Sequence, residues 1–261
     1  MSGSRKLGAG IIAATVLLAL APGMVRHAQA ARTPRISVTG LPAFFELVLD
    51  ATQNRVYASD PSGGRVFTLD GTDGHQISVL NLGGASWPEG MDISPDGSTL
   101  AVAAYGLHYV QLVNLADGSL GSTMVPQGLS PALPYDVKYG RAGRLYVADS
   151  TGANVNGYLH VMDTTTNLEV RHSVFGLQWY TRLAITADHN SLFVLQNSSG
   201  AANLVKFDVS TDNVDQPVEQ GGWGSSGITL TTTPDGSKVF TNGGQAWDAT
   251  LQHQLGTFQT L

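Results

Sequence analysis

A repeat of about 45 residues runs along most of this 261-residue chain. Its clearest copy is Ser94–Ala104 (SPDGSTLAVAA), in which a Pro-Asp-Gly turn leads into a short aliphatic strand. The first apolar residue of the corresponding strand recurs at intervals of 44, 45, 47 and 47 residues, at Val56, Leu100, Leu145, Leu192 and Val239. The residue that ends the following strand keeps a similar period. The chain is therefore predicted to build one structural unit five times.

Each unit contains four short β-like runs separated by turn residues. In the first unit these runs are Glu46–Asp50, Arg55–Ser59, Arg65–Asp70 and Gln76–Leu82, and the weakest fourth run is near Val214–Glu219 in the fourth unit. A four-stranded sheet cannot bury both of its faces alone, so such sheets stack around an axis. Abundant glycine (31 residues), few charged residues (13%) and no sustained helical period agree with this arrangement. The pattern predicts an all-β propeller of four-stranded blades.

Several units also share recognisable sequence motifs. In chain order these are Ser94–Ala104, Gly143–Ser150 (GRLYVADS), Gly157–Asp163 (GYLHVMD) and Thr233–Asn242 (TPDGSKVFTN). These motifs resemble the YVTN/NHL-type propeller repeat of bacterial secreted and surface-layer-associated proteins. The resemblance covers about residues 44–261, with predicted blades at 44–88, 89–133, 134–180, 181–226 and 227–261. It implies rings of six or seven blades, so five repeats predict an incomplete ring, with a closed five-bladed ring as the alternative. It implies little about function, because one fold hosts unrelated activities.

The first thirty residues have the features of a secretory signal peptide. Arg5 and Lys6 precede an apolar run, Gly8–Leu20, and Ala28-Gln29-Ala30 is a small-x-small cleavage site. The apolar run is shorter than the roughly 20 residues that span a bilayer. We therefore predict a leader at 1–30, a short lead at 31–43, and an exported protein (secreted, periplasmic or at the cell surface) with no membrane span after cleavage.

Charge and cysteine content exclude several classes of function. Loss of three basic residues with the leader changes the net charge from −6 to −9, with histidine neutral. Such an acidic chain is not expected to bind nucleic acid, which requires clustered Lys and Arg. The absence of cysteine excludes thiolate catalysis and cysteine-ligated zinc. No serine lies in the strand–elbow–helix context of a hydrolase nucleophile.

Histidines and a short acidic stretch are interpreted as structural. The seven histidines are scattered along the chain, and no pair has a spacing suited to zinc. The stretch Asp70–His75 (DGTDGH) looks like a metal loop in isolation. It falls between a third and a fourth strand, so a hairpin turn explains it better.

The candidate site is the mouth of the central channel, where residues entering the innermost strands converge. Its predicted members are Glu46, Trp87, Glu89, Tyr135, Asp136, Trp179, Tyr180 and Arg182. Aromatic rings beside carboxylates and a guanidinium suit a polar or sugar-like ligand. We expect no cofactor and no catalytic residue. A hard cation such as Ca²⁺, which prefers oxygen ligands, is the alternative that these carboxylates leave open.

The sequence predicts a general class of function and no specific ligand. The leading hypothesis is an exported, non-catalytic binding or scaffold protein that recognises a small polar ligand, or a protein or cell-surface partner, at the channel mouth. One alternative is a lactonase-type hydrolase that uses a channel metal to activate water. Another is a redox-partner propeller that resembles subunits accompanying quinoprotein dehydrogenases.

Overall fold

A computed structural model of the chain describes residues 43–127, 131–141, 143–149, 157–178, 180–198, 201–224 and 229–258. The predicted leader, and all of the predicted lead except its last residue, lie outside the described residues. Within them the regular structure consists of five sheets of four strands each and a short 3₁₀ helix at Tyr105–Leu107, between the second and third strands of the second sheet.

The strands follow one another along the chain, and each sheet uses four consecutive ones. The first sheet comprises β1 (Leu47–Asp50), β2 (Arg55–Asp60), β3 (Arg65–Asp70) and β4 (Gln76–Asn81). The second comprises β5 (Pro88–Ile93), β6 (Thr99–Ala104), β7 (Tyr109–Asn114) and β8 (Leu120–Met124). The third comprises β9 (Pro134–Tyr139), β10 (Arg144–Asp149), β11 (Leu159–Asp163) and β12 (Leu168–His172). The fourth comprises β13 (Arg182–Ile185), β14 (Ser191–Ser198), β15 (Ala201–Asp208) and β16 (Glu219–Gly224). The fifth comprises β17 (Leu230–Thr232), β18 (Lys238–Thr241), β19 (Gln245–Asp248) and β20 (Gln254–Thr257).

The Pro-Asp-Gly segments form the tight turns that the sequence predicts. Gly97 and Gly236 have φ values of 70° and 67°, in the left-handed region that glycine adopts without strain. Asp96 Oδ1 accepts a hydrogen bond from the Ser98 N–H at 3.0 Å, so the carboxylate ties the turn to its own backbone. The stretch after Asp70 is likewise a hairpin turn, between β3 and β4.

Apolar layers between neighbouring sheets form the core. The layer between the second and third sheets includes Ala103, Val110 and Val147, all 0% exposed. The layer between the third and fourth sheets is built around Tyr146 and Phe207. Neighbouring sheets therefore bury their facing sides against one another, as stacked blades do.

The five sheets form an open arc. Their innermost strands pack against one another in the order β1, β5, β9, β13 and β17. Within the described ranges no comparable packing joins the first sheet to the fifth. This agrees with the prediction of an incomplete ring and not with the closed five-bladed alternative. No helix in the described part of the chain is long and apolar enough to cross a membrane.

The fourth strand of the fourth sheet differs from its predicted position. The sequence predicts it near Val214–Glu219, whereas β16 covers Glu219–Gly224. Val214 is fully buried, but it packs into the core from the loop before the strand. An apolar loop residue was thus mistaken for part of an edge strand.

Candidate functional site

The entry position of each innermost strand is defined by the sheet register. Leu47 pairs with Ala58 in β2, Met91 with Val102 in β6, and Leu183 with Val194 in β14. The residues immediately before these pairs, and before their equivalents in the third and fifth sheets, therefore occupy the same level around the axis. In chain order they are Glu46, Gly90, Asp136, Arg182 and Thr229.

Charged side chains at this level meet across the axis. Lys138 Nζ lies 3.1 Å from Glu46 Oε1 and 3.5 Å from Asp136 Oδ1. Arg182 lies 3.8 Å from Glu46 Oε1 and 3.7 Å from Asp136 Oδ2. The side chains of Asp136 and Arg182 are only 1% and 5% exposed. We call these four residues, Glu46, Asp136, Lys138 and Arg182, the charged hub.

Carboxylates of the innermost strands also bind the backbone of the next sheet. Glu46 Oε2 accepts from the Met91 N–H at 2.7 Å, and Asp136 Oδ2 accepts from the Leu183 N–H at 2.8 Å. Asp92 Oδ2 accepts from the Tyr139 N–H at 2.7 Å. In each case the acid and the amide lie in neighbouring sheets. These acids therefore join blade to blade, which is a structural role in addition to any part in binding.

Gly90 occupies the hub position of the second sheet because Asp136 lies against it. A Cβ added at residue 90 would come within 2.6 Å of the Asp136 Cα, closer than side chains pack. The missing side chain at this position thus makes room for the carboxylate.

The buried position of Lys138 is compensated by its acidic neighbours. Burial lowers the pKa of a lysine, but the charges of Asp136, Glu46 and Asp92 raise the pKa of Lys138 above its ordinary value. The ammonium is thus held charged in the interior. Sequence reasoning missed Lys138 and Asp92. Lys138 follows Asp136 by two residues, which puts both side chains on the same face of β9.

Glu89 lies beside the charged hub and is less completely neutralised. Burial raises its pKa to about 7 against the opposing effect of Arg182. Its Oε2 atom and Arg182 Nη1 are both buried, and neither has a hydrogen-bond partner within the described residues. Two polar atoms of opposite character are therefore left unpaired at the mouth, which costs free energy unless something binds them.

Aromatic rings surround these two groups. The ring of Tyr135 contacts those of Phe45, Tyr105 and Tyr180 edge-to-face, at centroid distances of 5.1, 6.1 and 5.7 Å. Trp87 stacks on Tyr105 with 6.2 Å between centroids and 13° between planes. We call these five rings the aromatic mouth. The Arg182 guanidinium lies 4.4 Å from the centre of the Phe45 ring, which connects the mouth to the charged hub.

Two rings of the aromatic mouth are exposed and have unusual backbones. Trp87 is 51% exposed with φ 42°, and Tyr180 is 53% exposed with φ 51°. Bulky residues rarely adopt positive φ, and such strain is concentrated at functional sites. Trp87 directly precedes β5, and Tyr180 lies in the loop that enters β13. The strained loops present these large rings at the mouth.

Seven of the eight predicted site residues are placed in this region by the structure. Glu46, Asp136 and Arg182 form part of the charged hub, and Glu89 lies beside it. Trp87, Tyr135 and Tyr180 belong to the aromatic mouth. Trp179 lies outside the described residues, so its position is not compared. Tyr105 was not among the predicted site residues, because ring contacts between sheets leave no signal in local sequence.

Two cavities lie elsewhere on the described surface. One, of about 310 Å³, is lined by residues of the second sheet that include Thr99 and Leu112. The other, of about 410 Å³, is lined by residues that include Arg141, Tyr146 and Asp212. Neither includes a mouth residue. The mouth is therefore a candidate because of its side-chain chemistry and not because of a deep cavity.

Glu89 should make stability depend on pH in a defined direction. Because its pKa is raised from 4.5 to about 7 in the folded state, the folded protein holds a proton that the unfolded chain releases. Stability should therefore fall as pH rises through this interval and level off above it. Relative to Glu89→Gln, we expect the wild-type protein to lose about 1–3 kcal/mol between pH 4.5 and 8. Urea unfolding of both proteins across this range is the measurement; parallel curves would show that burial does not protonate Glu89.

Comparison with known proteins identifies the architecture. No protein-family model matches the chain, and no curated protein matches its sequence. A chain of hydrazine synthase from Kuenenia stuttgartiensis superposes with a TM-score of 0.63 at 19% identity. The Dos1 propeller superposes with a TM-score of 0.62 at 15% identity. The fold is a β-propeller.

These identities are low enough that the two propellers show the fold alone. The match covers 85% of this chain and 59% of the hydrazine synthase chain. For the Dos1 propeller the figures are 83% and 58%. This β-propeller chain thus spans less than two thirds of either solved chain.

Proposed function

We propose that this β-propeller is an exported, non-catalytic binding module whose channel mouth takes a small neutral ligand with hydroxyl groups and one apolar face, such as a sugar. The observation that carries the proposal is the pair of unpartnered polar atoms, Glu89 Oε2 and Arg182 Nη1, beside the aromatic mouth. A carboxyl group and a guanidinium held in an apolar surround provide the hydrogen-bonding groups that an uncharged polyol needs.

The exposed rings support the same ligand class. Trp87 and Tyr180 present about half of their surfaces to solvent, and aromatic faces of this kind are used for apolar contact in binding sites. A ligand that covers them gains hydrophobic contact, while its hydroxyl groups bind the carboxyl of Glu89 and the guanidinium of Arg182. Strained loops hold the rings in place before binding, which reduces the entropy lost on association.

A binding role is preferred over metal-dependent hydrolysis at this level of the channel. The carboxylates of Glu46 and Asp136 lie 3.1–3.8 Å from Lys138 and Arg182, so two anions already face two cations. The two cations repel a divalent ion that would use these oxygens. A lactonase-type reaction through a hub metal is therefore disfavoured by local charge.

The type of propeller and its destination are part of the proposal. The two Pro-Asp-Gly turns and the aspartate-ended segments RLYVAD (Arg144–Asp149) and YLHVMD (Tyr158–Asp163) support a YVTN/NHL-type repeat. The Arg-Lys, apolar and Ala-Gln-Ala segments of residues 1–30 support export. An exported propeller with an acidic surface suits recognition of an uncharged ligand outside the cytoplasm.

Isothermal titration with neutral sugars tests the binding role. The probes are glucose, galactose, mannose, N-acetylglucosamine, maltose and cellobiose, each titrated into the purified protein. We expect saturable binding of at least one probe, weakened at least tenfold, or about 1.4 kcal/mol, by Trp87→Ala and by Glu89→Gln. The matched control is Phe258→Ala, which removes an exposed ring from the far end of the arc and should leave affinity unchanged.

Two results would contradict the binding role. One is the absence of saturable binding for every probe. The other is binding that survives both mouth substitutions. Turnover of a lactone by the metal-loaded protein would instead favour the hydrolase alternative.

A further inference from the structure

A second cluster of functional side chains lies away from the channel, at the outer part of the third blade. His160 in β11 is the direct cross-strand partner of His172 in β12. Sequence spacing did not reveal this histidine pair, because antiparallel pairing brings together residues that are twelve positions apart. Glu169, in the same strand as His172, completes the cluster.

The three side chains converge on one point. His160 Nδ1 is 3.0 Å from Glu169 Oε2, and His172 Nδ1 is 2.7 Å from Glu169 Oε1. One ligand atom from each of the three residues lies within 4.8 Å of the others. Tyr158 packs against both imidazole rings, with centroid distances of 6.2 and 5.0 Å. The rings are therefore held with their Nδ1 atoms towards the same carboxylate.

The other nitrogen of His160 faces a second carboxylate. Its Nε2 is 3.7 Å from Asp149 Oδ2, and both side chains are 0% exposed. Neither of these two atoms has a hydrogen-bond partner within the described residues. Asp149 Oδ1 accepts a hydrogen bond from the Leu133 N–H at 2.8 Å, so the carboxylate is fixed in position. The arrangement aligns a carboxylate, an imidazole and a second carboxylate.

A neutral His160 cannot bind two ionised carboxylates at once. With its proton on Nδ1, a lone pair on Nε2 faces the Asp149 oxygen; with the proton on Nε2, a lone pair on Nδ1 faces Glu169. A cation is needed on the Nδ1 side, either a second proton or a metal ion. With a metal on Nδ1, the Nε2 proton points to Asp149, as in the carboxylate–histidine–metal arrangements of protein metal sites.

We propose that His160, His172 and Glu169 bind a zinc ion, with Asp149 orienting His160 from behind. Two imidazoles and one carboxylate suit a borderline divalent transition metal better than Ca²⁺ or Mg²⁺. Tetrahedral zinc with bonds of about 2.0–2.1 Å separates neighbouring ligand atoms by about 3.3 Å. The observed contacts of 3.0 and 2.7 Å need to open by about 0.3 and 0.6 Å to reach this separation.

The site is accessible and sits at a junction between blades. His172 is 40% exposed, whereas Glu169 is 5% exposed, so an ion can enter from the His172 side. Glu169 also accepts a hydrogen bond from the backbone N–H of Gln127, in the segment that leaves the second blade. A bound ion would therefore stabilise the packing of the second blade against the third. No residue of the channel mouth takes part in binding it.

Zinc titration of the untagged full chain, stripped of metal by chelator, tests the site. We expect one zinc ion per chain by isothermal titration and a melting temperature that rises with zinc concentration. His172→Ala and Glu169→Gln should each weaken zinc binding at least tenfold, and Asp149→Asn should weaken it about 10–100-fold. His172→Ala changes a part-exposed residue, so circular dichroism should show an unchanged fold.

A second cluster in the chain supplies the matched control. His75 Nδ1 contacts Asp73 Oδ1 at 2.6 Å beside Asp70, on an exposed turn. His75→Ala should leave zinc stoichiometry and affinity unchanged. Absence of stoichiometric zinc binding, or binding that survives both His172→Ala and Glu169→Gln, would overturn the proposal and assign a second proton to His160. Loss of binding in His75→Ala alone would move the site to the exposed turn and overturn it equally.

Discussion

Replacing Asp136 by alanine should lower the free energy of unfolding by about 3–5 kcal/mol, because it leaves buried charges without their partner. The carboxylate lies between Lys138 and Arg182, at 3.5 and 3.7 Å. It also accepts hydrogen bonds from the N–H groups of Val137 and Leu183, each at 2.8 Å. The substitution therefore removes two backbone contacts and uncovers two cations at once. Urea unfolding at neutral pH measures the loss.

An exposed aspartate provides the comparison for Asp136. Asp117 lies in a hairpin turn, where it accepts a hydrogen bond from the Ser119 N–H at 2.9 Å. Asp117→Ala should cost far less than Asp136→Ala, because this carboxylate is exposed to solvent and neutralises no buried charge. Equal losses at the two positions would show that the charged hub adds nothing to blade packing.

Removing the charge of Lys138 should have the second large effect. Lys138→Met keeps most of the side-chain volume but leaves Glu46, Asp136 and Asp92 without the ammonium that neutralises them. We expect a loss of about 3–5 kcal/mol, since one partner of a buried ionic cluster is removed. Lys238→Met is the control, because Lys238 is exposed in β18 and its replacement should change stability by less than about 0.5 kcal/mol.

Local chemistry explains why the fold could be predicted from the sequence. A Pro-Asp-Gly turn followed by aliphatic residues specifies a hairpin without reference to the rest of the chain, and its recurrence counts the blades. The outer strand β16 was placed too early because edge strands are polar and partly exposed, so their pattern is weak. Val214, the apolar residue that drew the prediction, packs into the core from a loop.

For the candidate site, the sequence predicts only which residues enter the innermost strands at equivalent positions. Alignment of the repeats predicts that Glu46, Asp136 and Arg182 occupy equivalent strand positions, and the strand register puts them at the same level around the axis. It could not show that Lys138 lies between them, nor that the acids bind the next blade. The pairing of His160 with His172 depends on the β11–β12 register, which local sequence does not encode.

The innermost strands converge on one axis, where side chains from distant blades bind one another. Glu46 and Lys138 are 92 residues apart in the chain, yet their charged atoms are 3.1 Å apart. Burial and the neighbouring Asp136 raise the pKa of Glu46, so the pair is best measured at pH 8, where the carboxylate is more fully ionised.

The decisive measurement is a double-mutant cycle of Glu46→Gln and Lys138→Met, followed by urea unfolding at pH 8. The amide oxygen introduced by Glu46→Gln can still accept the hydrogen bond from the Met91 N–H, so the cycle isolates the charge interaction. We predict a coupling energy of at least about 1 kcal/mol, within the range found for residues in contact. Additive losses, with a coupling below about 0.3 kcal/mol, would contradict a hub in which the first and third blades meet.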